Sequence, residues 1–244
     1  MKNGQTIVSS GKNFVLGFFS PPNSTFQYFA IWYNNISVQT VIWVANRDSP
    51  IRDKNGILAI GNNGNLMVLD GIGSSMWSSN ASIFSINTTA MLMDTGNLIL
   101  LSNDSVGDTD KALWQSFNNP TDTFLPGMRV HTNAQTGQNC IFTSWMRVGN
   151  PSPGSYSMGI DPMRSPQIVL LKGPNRSWRS GYWNGSEVSS LVTGFLGVEG
   201  VKLPDFASTV AAENIEECED KCLTNCSCNA LAFVVGDSVH DVEW

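Results

Sequence analysis

The sequence has no long apolar run and few charged residues. No stretch approaches the roughly 20 apolar residues of a transmembrane helix, and charged residues make up only 14% of the 244 positions, against about 25% in an average globular protein. Lys and Arg number 14 against 20 acidic residues, which gives a net charge of −6. Nucleic acid and anionic membrane surfaces are therefore not expected partners, because a net negative chain repels both.

Groups suited to catalysis are also scarce. His131 and His240 are the only histidines, and neither lies near a nucleophile elbow. Asp122 and Asp161 stand beside Thr and Pro, as turn aspartates often do. The chain has no Gly-rich phosphate loop followed by Lys and Ser or Thr, and it lacks the signature motifs of a protein kinase. These absences predict a chain without catalysis and without a cofactor.

The five cysteines favour disulfides over a metal site. Four of them form the pattern Cys-x3-Cys-x3-Cys-x-Cys, from Cys218 to Cys228, and the fifth is Cys140. This pattern lacks the Cys-x2-Cys pairs that usually bind zinc, and no histidine lies nearby. An odd number of cysteines cannot all pair within one chain, so at least one thiol is left over.

Short apolar runs separated by turn residues dominate the first half of the chain. Those in Val41–Asn80 are of strand length and are broken by Asn, Asp, Gly, Ser and Pro. Asn63-Gly64 is a strong hairpin signal. Leu58 and Ile60, then Leu66 and Val68, alternate at period two, so that one face of each strand can be buried. The pattern predicts an antiparallel all-β module.

The same unit recurs along the chain. Gly64-Asn65-Leu66 returns as Gly96-Asn97-Leu98, 32 residues later, and an apolar residue followed by Trp occurs at Trp43, Trp77 and Trp114. A fixed period of this length indicates repeated supersecondary units. We predict that the three Trp rings share one centre, that each is largely buried, and that they form core rather than a platform for stacking a ligand.

Eight Asn-x-Ser/Thr sequons favour passage through a secretory pathway. The one at Asn225, with Cys226 in the middle, is the poorest candidate. Yet Met1–Thr6 lacks the apolar segment of a signal peptide. As written, the chain is expected to stay in the cytosol, unless it is a fragment or starts at an alternative site. The predicted glycosylation sites are Asn23, Asn35, Asn80, Asn87, Asn103, Asn175 and Asn184.

Several motifs together resemble the ectodomains of plant S-locus glycoproteins and G-type lectin S-receptor-like kinases. L-G-F-F-S-P, I-W-Y, T-V-I-W-V-A-N-R-D-S-P and G-N-L are similar to their bulb-type lectin domain. L-W-Q-S-F-N-N-P-T-D-T-F-L-P-G-M and W-R-S-G-Y-W-N-G are similar to the S-locus glycoprotein region. E-C-E-D-K-C-L-T-N-C-S-C-N-A resembles the cysteine cluster of a PAN domain. In the family, that cluster pairs Cys222 with Cys228.

The resemblance implies a mainly β protein of three parts. Residues 1–105 would form a β-prism II lectin module and residues 106–193 a second, incomplete β module. Residues 194–244 would form a truncated α+β PAN domain. In the last part, Asn214 and Glu217 have the spacing of a capping box, which predicts a helix over Ile215–Leu223.

The resemblance also raises sugar binding. Mannose-binding members carry Gln-x-Asp-x-Asn-x-Val-x-Tyr on a strand, and here only the Asn survives, at Asn65 and at Asn97. Because the carboxylate and the phenol that orient a sugar are missing, a turn asparagine in a retained scaffold is the favoured interpretation of both. The degenerate candidate positions are Asn63, Asn65, Met67, Asn97 and Ile99.

The function implied is recognition of an extracellular ligand at the cell surface, which in the family includes pollen recognition. The expected partners are a peptide, a protein or a glycan, with a receptor dimer as a further expectation. Two alternatives stay open: a mannose-type lectin, and a non-functional truncated remnant.

Overall fold

The computed structural model describes residues 1–83, 87–131, 140–161 and 167–180, the backbone of three further strands between 208 and 243, and the single residue Glu217. The chain divides into two compact units, Met1–Arg179 and Ser180–Trp244. The domain bounds expected from the resemblance stay a prediction.

The described structure is almost entirely antiparallel β. The strands are β1 Thr6–Val8, β2 Phe14–Phe19, β3 Tyr28–Tyr33, β4 Val41–Val44, β5 Ile57–Ile60, β6 Leu66–Leu69, β7 Ser75–Ser78, β8 Thr88–Leu92, β9 Leu98–Ser102, β10 Trp114–Gln115, β11 Phe142–Arg147, β12 Asn150–Ile160, β13 Ile168–Lys172, β14 Asn175–Arg179, β15 Ser208–Val210, β16 Leu231–Val234 and β17 His240–Glu243. Three short 3-10 turns interrupt them, at Asn103–Ser105, Thr109–Lys111 and Ser116–Asn118.

Three sheets pack around a common core and confirm the β-prism. The first sheet has the order β1-β2-β3-β4, the second β5-β6-β7 and the third β8-β9-β10. Their inner faces contribute fully buried side chains such as Leu16, Phe29, Val68 and Leu100 to one hydrophobic cluster. Burial of this apolar surface, at about 25 cal/mol per Å², is what holds three small sheets together.

The hairpin signal at Asn63-Gly64 is confirmed. The N–H of Gly64 donates to the carbonyl of Gly61 at 2.9 Å, and Gly61 in turn donates to Asn65 at 2.8 Å. Gly64 has φ +78°, a value that glycine reaches without a steric penalty. The second Gly-Asn-Leu unit forms the same turn, with Gly96 at φ +86°.

The Trp repeat is confirmed in position. Each Trp lies on an edge strand of its sheet and pairs with a residue of the adjacent inner strand: Trp43 with Ile31, Trp77 with Val68 and Trp114 with Leu100. The ring centroids lie 5.7, 5.9 and 5.5 Å apart in edge-to-face contacts, the arrangement that aromatic pairs prefer. Bulges beside Trp43 and Trp77 shift the ladder register, so that both residues of the Ile42-Trp43 and Met76-Trp77 pairs pack in or against the core cluster.

The expectation that all three Trp rings are largely buried holds fully for two of them and less completely for the third. Trp43 is 3% exposed and Trp114 is 8% exposed, but Trp77 is only partly buried. A cavity of about 230 Å³ lies beside the cluster and is lined by the three rings together with Arg47 and Asp48. Trp77 therefore keeps part of its surface free, because no side chain among the described residues fills this space.

A fourth sheet, in the order β11-β12-β13-β14, belongs to the same unit as the prism. Phe142 from β11 enters the main core cluster, as does Cys140, which precedes the strand. Trp145 packs against a second cluster on the outer face of the first sheet, made of Phe19, Tyr28, Ala30 and Val44. This is the second β module that the sequence predicted.

The C-terminal unit contains a three-stranded antiparallel sheet in the order β15-β17-β16. The predicted helix Ile215–Leu223 lies outside the described residues except for Glu217, which is helical. Cys218, Cys222, Cys226 and Cys228 also lie outside them, so the predicted pairing of Cys222 with Cys228 stays a prediction. In the part of the chain that the structure describes, no helix is long and apolar enough to cross a membrane.

Candidate functional site

The pairing of the three Trp residues locates, on each sheet, the position that corresponds to the asparagine of the mannose motif. Asn65 stands three residues before Val68, the partner of Trp77, and Asn97 stands three residues before Leu100, the partner of Trp114. The same offset from Ile31 gives Tyr28 on the first sheet. The sequence alone did not place this third position, because no Gly-Asn-Leu unit marks it.

On the first sheet the equivalent position is buried under the second β module. Tyr28 is 2% exposed and lies in the cluster that Trp145 covers. Burial raises the pKa of Tyr28, and a hydrogen bond with Ser152 partly offsets the rise. This face therefore cannot receive a ligand while the two β modules remain in contact.

On the second sheet the asparagine is used inside the fold. Asn65 is 5% exposed, and its Oδ1 accepts hydrogen bonds from the Ser79 hydroxyl and the Ala81 N–H, both at 2.7 Å. Its Nδ2 donates to the Ala81 carbonyl at 3.2 Å. The exposed Asn63 accepts from the Asn65 N–H at 3.1 Å. These bonds fix the turn, and with Asn65 only 5% exposed they hold its side-chain amide inside the fold.

On the third sheet the asparagine is again tied to the fold but stays partly exposed. The Oδ1 of Asn97 accepts from the Ser116 hydroxyl and the Phe117 N–H, both at 3.1 Å. Its Nδ2 donates to Gln115 Oε1 at 2.9 Å. Ile99, which holds the position of the sugar-packing Val, is only 1% exposed, whereas Met67 on the second sheet is partly exposed.

A groove of about 700 Å³ lies over this outer face of the third sheet. Its sheet side is made of the four positions Met93, Thr95, Asn97 and Ile99. We call it the third-sheet groove. The rest of its lining lies between residues 109 and 131 and includes Gln115 of β10: Thr109, Asp110, Gln115, Phe117, Asn118, Gly127, Arg129 and His131.

The third-sheet groove combines an apolar floor with varied polar groups. Arg129 is exposed and forms no ion pair with another described residue. His131 lies beside it, with Nδ1 3.2 Å from the Arg129 carbonyl. Amides, hydroxyls, a carboxylate and a guanidinium around aromatic and aliphatic surface can bind a polar ligand such as a saccharide or a peptide. The volume is within the usual range for ligand sites, about 300–1,000 Å³.

Arg47 is a functional residue that the sequence reasoning did not single out. It is 7% exposed, and it donates three hydrogen bonds to backbone carbonyls of the second β module: Nε to Pro151 at 2.8 Å, Nη1 to Thr143 at 2.9 Å and Nη2 to Ser144 at 2.8 Å. Burial lowers the pKa of Arg47, while Asp122 and Asp48 oppose this. Arg47 thus joins the prism to the second module.

The carbonyls that Arg47 binds lie where the β11–β12 ladder is irregular. Register shifts separate Thr143 from Trp145 and Trp145 from Arg147. A bulged ladder leaves backbone groups without their regular partners, and a planar guanidinium can satisfy several of them at once. A signal was present in the sequence, since Arg47 belongs to W-V-A-N-R-D-S-P, but its acceptors lie about a hundred residues away.

The sequon asparagines that the structure describes are exposed, as glycosylation requires: Asn23, Asn35, Asn80, Asn87, Asn103 and Asn175. Three of them, Asn23, Asn35 and Asn80, sit in turns at positive φ. Asn184 lies outside the described residues. Cys140 is the one free cysteine within them, it is 1% exposed, and burial raises the pKa of its thiol.

Two family models match the chain. One, described as a D-mannose binding lectin, matches residues 40–146. The other, described as a PAN-like domain, matches residues 190–239. Their order along the chain is the order that the motifs predicted.

Curated relatives from Arabidopsis thaliana are similar over most of the chain. The G-type lectin S-receptor-like serine/threonine-protein kinase B120 is 49% identical over 203 residues, which is 80% of this chain and 23% of the relative. The kinase SD1-13 of the same type is 46% identical over 186 residues, 75% of this chain and 22% of the relative. The chain thus spans less than a quarter of the length of these relatives.

Proposed function

We propose that this chain is an extracellular ligand-recognition module without catalytic activity of its own, because it is similar to the lectin-bearing part of the G-type lectin S-receptor-like kinases. The relatives are named as kinases, but the kinase motifs are absent from this sequence. Within this role, recognition of a pollen signal, which the resemblance implies for the family, is the finer proposal. The expected partner is a glycan, a peptide or a protein at the cell surface.

The observation that carries this proposal is the difference between the three equivalent faces of the prism. Tyr28 is covered, Asn65 is bonded inside its own turn, and the face of Asn97 opens into the third-sheet groove. We propose this groove as the recognition site. Since the mannose motif retains only its asparagine there, the ligand is expected to differ from mannose.

We expect no mannose binding tighter than millimolar. The side-chain amides of Asn65 and Asn97 form hydrogen bonds within the fold. No carboxylate or phenol occupies the other positions of the mannose motif around them. Calorimetric titration with mannose and with a mannose oligomer checks this. A micromolar dissociation constant for either sugar would establish the mannose-lectin alternative instead.

We also expect ligand binding in the third-sheet groove to depend on Arg129. An array of plant cell-wall oligosaccharides, with secreted plant peptides on separate spots, is probed with the chain and with Arg129→Ala. The substitution should weaken any specific signal about tenfold or more, because a hydrogen bond to a charged group contributes ~1.5–3 kcal/mol. Arg129 makes no ion pair with described residues, so its loss should leave the fold intact.

Arg147→Ala is the matched control for this experiment. Arg147 is also exposed, at the end of β11, and it does not line the third-sheet groove. Binding that survives Arg129→Ala unchanged, or that falls equally with Arg147→Ala, would reject the groove as the recognition site. Signals on the oligosaccharide spots or on the peptide spots would separate the two ligand classes.

A further inference from the structure

A second groove, of about 470 Å³, lies at one end of the prism where several turns meet. It is separate from the third-sheet groove on the outer face, although Thr95 borders both. Its lining comes from the turns at Lys12–Phe14, Tyr33–Asn35 and Asp94–Thr95, and from Leu125–Pro126. We call it the end groove.

The turns around the end groove are fixed to one another. The N–H of Asn34 donates to the Asn13 carbonyl at 2.8 Å, and Asn34 Nδ2 donates to the Lys12 carbonyl at 2.9 Å. The Gly11 N–H donates to Asp94 Oδ1 at 2.5 Å. The rings of Phe14 and Tyr33 lie 5.0 Å apart. The groove is therefore already formed rather than assembled by a ligand.

One residue of the lining is itself a glycosylation acceptor. Asn35 begins the sequon Asn35-Ile36-Ser37, is exposed and has φ +57° in its turn. Tyr33, two residues earlier, borders the same groove. Any sugar attached to Asn35 would start at the edge of this groove, beside an aromatic ring.

We propose that Asn35 carries an N-linked glycan and that the first N-acetylglucosamine packs into the end groove. The inference rests on the extracellular placement in the proposed function. In the transfer, Asn35 Nδ2 forms a bond to the sugar C1 of a lipid diphosphate oligosaccharide as the C1–O bond to phosphate breaks. The amide loses one proton, and the lipid diphosphate leaves.

The chemistry of the end groove suits a sugar ring. One face of a pyranose presents C–H groups, which pack against the electron-rich face of an aromatic ring; Tyr33, Phe14 and Leu125 supply the aromatic and apolar surface. Its hydroxyls and acetamido group need hydrogen-bonding partners, which Asn13 and Asp94 offer at the rim. A covalently attached sugar also has a high effective concentration, so weak packing is sufficient to hold it.

The test is enzymatic release of the glycan from the folded protein. The full chain is secreted from eukaryotic cells behind a cleavable leader, and site occupancy is measured by mass spectrometry. Peptide-N-glycosidase is then applied under native conditions. We expect release from Asn35 to be at least about tenfold slower than from Asn23, a factor that corresponds to about 1.4 kcal/mol. Asn23 is the matched control, since it is also exposed at positive φ and does not line the end groove.

Two variants show whether the aromatic ring is responsible. Tyr33→Phe keeps the ring and should keep the slow release, whereas Tyr33→Leu should raise the rate at Asn35 to that at Asn23. If Tyr33→Leu does not fold, the comparison of Asn35 with Asn23 in the parent chain still decides the question. Equal release rates at the two sites in the parent chain overturn the proposal.

Site occupancy separates this inference from the function on which it rests. If Asn35 remains bare while Asn23 or Asn80 is occupied, the inference is overturned and the extracellular placement stands. If the secreted chain carries no glycan at any sequon, the inference is likewise overturned, whereas the proposed recognition function is tested separately by the binding array.

Discussion

Replacing Trp43 by Ala is expected to lower the free energy of unfolding by about 3–5 kcal/mol, the usual cost of removing a buried aromatic side chain. Trp43 is 3% exposed and touches both other rings of the Trp cluster. Its Nε1 also donates to the Asn119 carbonyl at 2.9 Å. The substitution therefore leaves a cavity where three sheets meet and removes a bond to the segment after the prism. Urea unfolding, followed by tryptophan fluorescence and circular dichroism, measures the loss.

Trp77→Ala is the internal comparison for Trp43→Ala. The two side chains share the cluster, but Trp77 is only partly buried and borders a cavity, so its removal should cost clearly less. Trp43→Phe keeps an aromatic ring in place and should recover part of the loss. If Trp43→Ala unfolds at the same urea concentration as the parent chain, the three rings do not form the structural centre of the prism.

Replacing Arg47 by Met is expected to cost about 3 kcal/mol or more, since each buried carbonyl left without a donor costs ~1–3 kcal/mol. Methionine retains much of the aliphatic stem and removes all the donors to Thr143, Ser144 and Pro151. The loss should be localised where the second module meets the prism. Hydrogen exchange followed by mass spectrometry should show faster exchange in β11 and β12, with β5, β6 and β7 little changed.

Arg52→Met is the matched control for Arg47→Met. Arg52 is exposed and stands over the Phe26 ring at 5.8 Å, so its loss should change stability by a few tenths of a kcal/mol, as for most surface substitutions. Arg47→Lys keeps the charge but cannot reproduce the planar set of donors. Its loss of stability should lie between those of Arg52→Met and Arg47→Met. An Arg47→Met chain that unfolds as Arg52→Met does, with unchanged exchange in β11, would refute the role of Arg47 as a link.

Most of the prism could be predicted because its signals are local. A strand such as Phe14–Phe19 or Ile57–Ile60 is set by apolar residues bounded by turn residues. The turns at Gly64 and Gly96 require a positive φ angle, and the glycine at each position predicts this conformation. The shared position of the Trp residues followed from their spacing, because repeated units must bury their apolar faces against one another.

The sequence by itself therefore determined the antiparallel β class, the repeat of the prism and the loss of the mannose motif, all of which depend on residues close together in the chain. Only the tertiary structure decided which outer face stays open and how the two β modules are joined. Asn65 and Asn97 have the same local sequence, yet Asn97 borders a groove because Arg129 and His131, more than thirty residues later, come back over its sheet. Trp145 packs over the cluster that contains Tyr28 and covers that face. Arg47 donates hydrogen bonds to backbone carbonyls between Thr143 and Pro151. Such contacts depend on how sheets distant in sequence pack together. Neither the spacing of apolar residues nor the turn residues predict that packing, because both describe only local structure.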